Sequence, residues 1–137
     1  MSEENIKVVR RLYDAIGQGN SASVLNLYDP EIEADYSESP YGDLTGGTLI
    51  YRGHEGMRRL AQDWNDAWAT VEYDLVELID AGPHVIAAVT YRGRGRSSGV
   101  EVERTDYPVW TIRDGKVVKV VWFRRREDAL EAAGLSE

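Results

Sequence analysis

The second half of the chain is written almost wholly in strand. "TVEYDLVELID", "HVIAAVTYRGRG", "EVERTDYPVWTIR" and "KVVKVVWFRR" alternate in polarity and are rich in β-branched and aromatic residues, with "AGP", "RSSG" and "RDG" as the turns between them. Such a run reads as a curled antiparallel sheet, and a sheet with one apolar face needs something to cover it. The first half supplies the cover. Ile6, Val9, Tyr13 and Ile16 recur at helical spacing, with Glu3 and Glu4 in the first turn and Gly17 and Gly19 at the end. Asn20 or Ser21 can cap a short second helix carrying Val24, Leu25 and Tyr28, stopped by Asp29-Pro30. "EIEADY" alternates as a strand, and residues 37–52 read as a long loop fit to fold over a pocket. A third helix, from about Gly53 to Trp68, presents Met57, Leu60, Ala61, Trp64 and Trp68 along one stripe, and "EDALEAAG" closes the chain as a short helix ending at Gly134. The expectation is one α+β domain over residues 1–137.

Composition excludes several function classes. A chain of 137 residues with 42% hydrophobic and 29% charged residues is a normal water-soluble domain. No apolar run reaches the roughly 18 residues of a membrane span, and the acidic start is unlike a secretory signal. A net charge of −8 disfavours nucleic acid and anionic membranes as partners. With no cysteine there is no disulfide, thiolate or zinc-thiolate chemistry, which fits a cytoplasmic protein. Four tryptophans and eight tyrosines stand against a single phenylalanine. Such rings join a large apolar body to a polar tip and suit the wall of a cavity.

The order of elements, with "VVRRLYDAIGQGN", "LYDPEIEAD", "YRGHEG", "VWTIRDGKVVKV" and "EDALEAAGL", resembles the nuclear-transport-factor-2-like superfamily and, more closely, its SnoaL-like branch. The resemblance implies a cone: a curved antiparallel sheet wrapped around three N-terminal helices, with a pocket at the open end and a short C-terminal helix. It also implies a homodimer through the convex sheet face, and no cofactor. Enzymes of the superfamily include isomerases, polyketide cyclases, epoxide hydrolases and dehydratases, whereas other members only bind or dimerise. The isomerase pattern is incomplete here. Leu12 aligns with its helix tyrosine, Asp35 falls on or beside its carboxylate base, and Pro108 replaces its strand acid. The epoxide-hydrolase pattern is also broken, since "RTD" sits on the neighbouring strand and Trp122 replaces the second aspartate.

The residues themselves point to a pair. Alternation puts Arg104, Asp106, Pro108 and Trp110 on one strand face, the first two about 6.6 Å apart at their Cα atoms. Asp106 fits a general acid or base and Arg104 an anion stabiliser. A guanidinium beside a carboxylate, however, makes it a weaker base, which favours a plain ion pair at the cone's mouth. Asp35 is the other candidate acid/base group, and it competes with Ala34 and Tyr36 for the inward direction. Tyr13, Tyr28, Tyr36, Trp64, Trp68, Trp110 and Trp122 are expected to line a site for a hydrophobic, ring-shaped or otherwise greasy small molecule. His54 is expected to cap a helix start and His84 to lie in solvent, with no metal-ligand spacing between them. "GRGRSSG" joins strands and is read as a solvated hairpin. Two readings remain: a small cofactor-independent enzyme using carboxylate acid–base chemistry, and a non-catalytic ligand-binding or dimerisation domain.

Overall fold

The computed structural model describes residues 2–37 and 50–135. Most of the loop expected over 37–52 therefore lies outside the described residues. Among those described, the elements in chain order are α1 (Ser2–Gly17), α2 (Ser21–Asn26), β1 (Tyr28–Asp35), β2 (Ile50–Arg52), α3 (Gly53–Ala67), β3 (Trp68–Ala81), β4 (His84–Gly95), β5 (Glu101–Arg113), β6 (Lys116–Phe123) and α4 (Arg126–Ala132). No helix among them is long and apolar enough to cross a membrane.

The strands form one sheet in the order β2-β1-β6-β5-β4-β3. From β3 to β6 every pairing is antiparallel, as the short turns require, while β1 adds to β6 in parallel. A parallel neighbour is possible there because α3 and the three following strands intervene between the two. The Asp114-Gly115 turn has φ of 53° and 77° at its two central residues, the signature of a type I′ hairpin whose twist matches the strands it joins. Register shifts at Trp68/Thr70 and Leu75/Glu77 in β3, and at Val118 of β6 opposite Thr111/Ile112, bend the sheet. The result is the open α+β cone.

The concave face carries the main core. Val85, Ala87 and Val89 of β4, Trp110 and Ile112 of β5, and Val120 and Trp122 of β6 pack against Val9, Leu12 and Tyr13 of α1 and Met57 and Leu60 of α3. Each fully buried aliphatic side chain of this set stabilises the fold by about 1.5–3 kcal/mol. The convex face has its own smaller cluster. There Ala129 and Ala133 meet Ile86 and Val109, and Arg126 reaches Glu77 at 2.8 Å.

Two local expectations need correcting. β1 begins at Tyr28 and runs through Asp29-Pro30, a dipeptide whose pattern marks a helix stop. The short strand β2 occupies the end of the segment read as loop, pairing Tyr51 with Ala34. The expected Asn20 cap is present, its side-chain oxygen accepting from the Ser23 amide at 3.2 Å.

Candidate functional site

A cavity of about 420 Å³ lies between the concave face and the helices. Tyr13 and Ile16 of α1 close one side, and Met57, Leu60 and Trp64 of α3 close another. The sheet contributes Tyr73, Tyr91, Trp110 and Trp122, while Tyr28 and Tyr36 enter from the two ends of β1. Helical and strand periodicity explain why these residues meet: Trp64 stands seven residues after Met57 and Trp110 four after Asp106. The rings brace one another. Tyr36 stacks on Trp122 with centroids 4.1 Å apart, Trp110 meets Trp122 edge-on at 6.0 Å, and Trp64 meets Tyr91 at 5.2 Å.

Polar groups are few and are placed by these contacts. Trp110 Nε1 donates to the Tyr13 hydroxyl at 3.2 Å, and the Tyr73 hydroxyl donates to the Tyr13 carbonyl at 2.7 Å. Burial, followed by the nearby charge of Asp106, raises the hydroxyls of Tyr13 and Tyr36 well above the usual tyrosine range. Burial alone raises Tyr28. These hydroxyls therefore stay protonated at neutral pH and remain hydrogen-bond donors. Arg58 and Asn65 also line the cavity, but among the described residues no carboxylate does.

Asp106 lies just behind this wall. It is only 1% exposed, and its Oδ1 has no hydrogen-bond partner. Burial pushes its carboxyl up to about 8, partly offset by a backbone hydrogen bond. At neutral pH it is mostly the uncharged acid. Strand alternation puts it on the concave face beside Pro108, both fully buried. The β4–β5 ladder skips Ala87 and Ala88 opposite Pro108 and Tyr107 and then resumes in the same register at Val89–Asp106. A proline without an amide hydrogen is tolerated in a central strand because the ladder is broken there.

The other two proposed catalytic groups are elsewhere. Arg104 is exposed and makes no ion pair with Asp106. It pairs in register with Tyr91, toward the end of β5, where a long charged side chain remains in water. The expected ion pair is thus replaced by an isolated buried acid. Asp35 points away from the cavity because Ala34 and Tyr36 take the inward direction, and its Oδ1 accepts from the Ser37 amide at 2.8 Å. Six of the seven expected aromatic residues line the cavity, and Trp68 stands one layer back, against Trp64 at 5.4 Å. Tyr13, rather than the aligned Leu12, carries the helix hydroxyl, and Leu12 is fully buried core. Tyr73 was missed, though the alternation Val71, Tyr73, Leu75 carried the signal. His54 bonds the Tyr28 carbonyl at 2.9 Å instead of capping α3, and His84 bonds the Thr111 hydroxyl at 2.9 Å.

The cone and its aromatic cavity define a nuclear-transport-factor-2-like protein. The family profile described as SnoaL-like domain matches residues 9–120, and the chain belongs to that family. No curated protein sequence matches it. Solved structures are similar in fold. One is an NTF2-like protein of unknown function from Burkholderia pseudomallei, 17% identical, with a TM-score of 0.77 over 93% of this chain and 95% of that one. TerC, co-crystallised with polyporic acid, is 19% identical, with a TM-score of 0.76 over 96% and 98%. An NTF2-like protein from Burkholderia thailandensis is 24% identical, with a TM-score of 0.75 over 94% of both chains.

Proposed function

We propose that this protein binds a hydrophobic, ring-bearing small molecule carrying an acceptor oxygen, and that it acts on it without a cofactor by acid–base chemistry centred on Asp106 and Tyr13. The observation that carries this reading is the unpartnered carboxyl oxygen of Asp106, buried behind the cavity wall. An unsatisfied buried polar atom costs about 1–3 kcal/mol, so a fold that keeps one calls for a reason beyond packing. A neutral carboxylic acid and a protonated tyrosine are both donors. Tyr13, on the cavity wall, can stabilise negative charge developing on a substrate oxygen, as isomerase, cyclase or dehydratase chemistry demands, while the uncharged Asp106 behind it adds no opposing charge. TerC, of the same fold, was co-crystallised with polyporic acid, which supports a small-molecule ligand for this cone.

The second reading is a binding domain with no turnover. It is favoured by the lack of any carboxylate among the described residues lining the cavity. Either reading is compatible with a homodimer through the part of the convex face that α4 leaves uncovered, where Arg92 bridges Asp74 and Glu103. Native mass spectrometry of the purified chain tests both ligand and dimer, through a retained small-molecule mass and the assembly mass. Asp106→Asn and Tyr13→Phe assayed against ring ketones, epoxides and polyketide-like rings then separate the readings. Turnover by the unaltered chain that both substitutions leave unchanged removes the acid–base assignment, and no turnover of any of them favours the binding domain.

A further inference from the structure

Glycine inside a strand packs nothing and loses more conformational freedom on folding than any other residue, so it marks a close approach. Gly93 is such a residue. It stands within β4, two positions from Tyr91 and on the same concave face. A Cβ built there would lie 2.7 Å from Cε3 and 2.8 Å from Cζ3 of Trp68, and 2.6 Å from the Thr70 carbonyl oxygen. No side chain fits unless both the Trp68 ring and the Thr70 carbonyl give way. Trp68 pairs with Gly95 across the β3–β4 ladder, so its ring covers Gly93 diagonally, a known way for an aromatic to cover a strand glycine. In front of Trp68 stands Trp64, 5.4 Å away, and Trp64 in turn meets Tyr91 at 5.2 Å. Trp64 and Tyr91 line the cavity, and Trp68 does not.

We infer that Gly93 sets the width of the cavity at its Trp64–Tyr91 wall: by letting Trp68 lie against the strand it keeps Trp64 drawn back, and so admits ligands of several fused rings. Gly93 is a positioning residue that acts through Trp68. The inference rests on the ligand-binding reading above and adds to it the residue that sets ligand size. Any side chain at 93 lifts Trp68 off the sheet toward Trp64 and narrows the cavity from behind.

Calorimetric titration of phenol, 2-naphthol and 2-phenanthrol into the unaltered chain, Gly93→Ala, Trp68→Phe and the double variant tests it. Gly93→Ala is expected to weaken 2-phenanthrol by about tenfold or more and phenol by less than about threefold, because small misfits in apolar pockets cost roughly 10–200-fold. Adding Trp68→Phe is expected to restore part of the 2-phenanthrol affinity, since it relieves the ring contacts but not the 2.6 Å approach to the Thr70 carbonyl. Equal weakening of all three probes, or no restoration, overturns the inference and leaves the ligand reading standing. Failure of every probe to bind the unaltered chain overturns the ligand reading and this inference with it. Where Gly93→Ala does not fold alone, Trp68→Phe carries the test: selectivity is expected to move toward 2-phenanthrol, and unchanged selectivity overturns the inference.

Discussion

The indole N–H of Trp110 ends on the hydroxyl oxygen of Tyr13, 3.2 Å away, with the two rings edge to face at 5.8 Å and 89°. This contact ties the first helix to the fifth strand inside the cavity. It also settles one side of the hydroxyl's hydrogen bonding: the oxygen accepts from Trp110, which leaves its own hydrogen to donate.

Tyr13→Phe removes the acceptor and leaves a buried indole N–H without a partner. Loss of about 1–3 kcal/mol in denaturant unfolding is expected. Trp110→Phe on top of it should cost less than the two single changes summed, with a coupling of about 0.5–3 kcal/mol. Strict additivity would show that the hydrogen bond contributes nothing in solution.

Asp106 predicts a pH dependence with a definite sign. Its carboxyl is raised to about 8 in the folded chain from an ordinary value of 3.8, so the folded state holds a proton that the unfolded state has released. Its stabilising effect is complete below the unfolded value and is lost as pH rises through the folded one. The expected loss is at most about 1.4 kcal/mol per pH unit between about pH 4 and pH 8. Asp106→Asn keeps the shape and cannot ionise. Its stability relative to the unaltered chain should rise steadily across that window, and parallel pH curves for the two proteins would contradict the assignment.

Arg104 tests the opposite claim. Because it is exposed and unpaired with Asp106, Arg104→Ala is expected to change stability by no more than about 0.5 kcal/mol. The pH at which Asp106 titrates, followed by carboxyl NMR, should stay where it is. A marked rise in that pH would restore the ion pair that the sequence suggested.

That contrast shows what the sequence could carry. Strand alternation correctly grouped Asp106, Pro108, Trp110 and Ile112, because a period of two is a local property of the backbone. Whether Arg104 reached Asp106 depended on how far the sheet curls before β5 meets solvent, which no local pattern encodes. Asp35 failed for a related reason. Alternation offered two choices of face, and only the packing of Ala34 and Tyr36 into the core decided between them. The cavity was legible as a surplus of tryptophan and tyrosine. Trp68's retreat behind Trp64 was not, since it rests on a glycine of the neighbouring strand.

The β5–β6 turn ties the fold to the site most directly. Asp114 and Gly115 both hold positive φ, which fixes a two-residue loop and the pairing of Ile112 with Val117, and the one-residue shift that follows sets Trp122 opposite Pro108 and Val120 opposite Trp110. A slip of one residue would turn Trp122 out of the cavity and break its stack with Tyr36. Gly115→Val places a β-branched residue at φ 77°, and a cost of about 1–3 kcal/mol is expected. If the strand holds its register, probe affinity at saturating stability is unchanged and only the melting temperature falls. If the register slips, tryptophan emission shifts to the red as Trp122 meets water. A variant with neither change would mean that the turn does not hold this register.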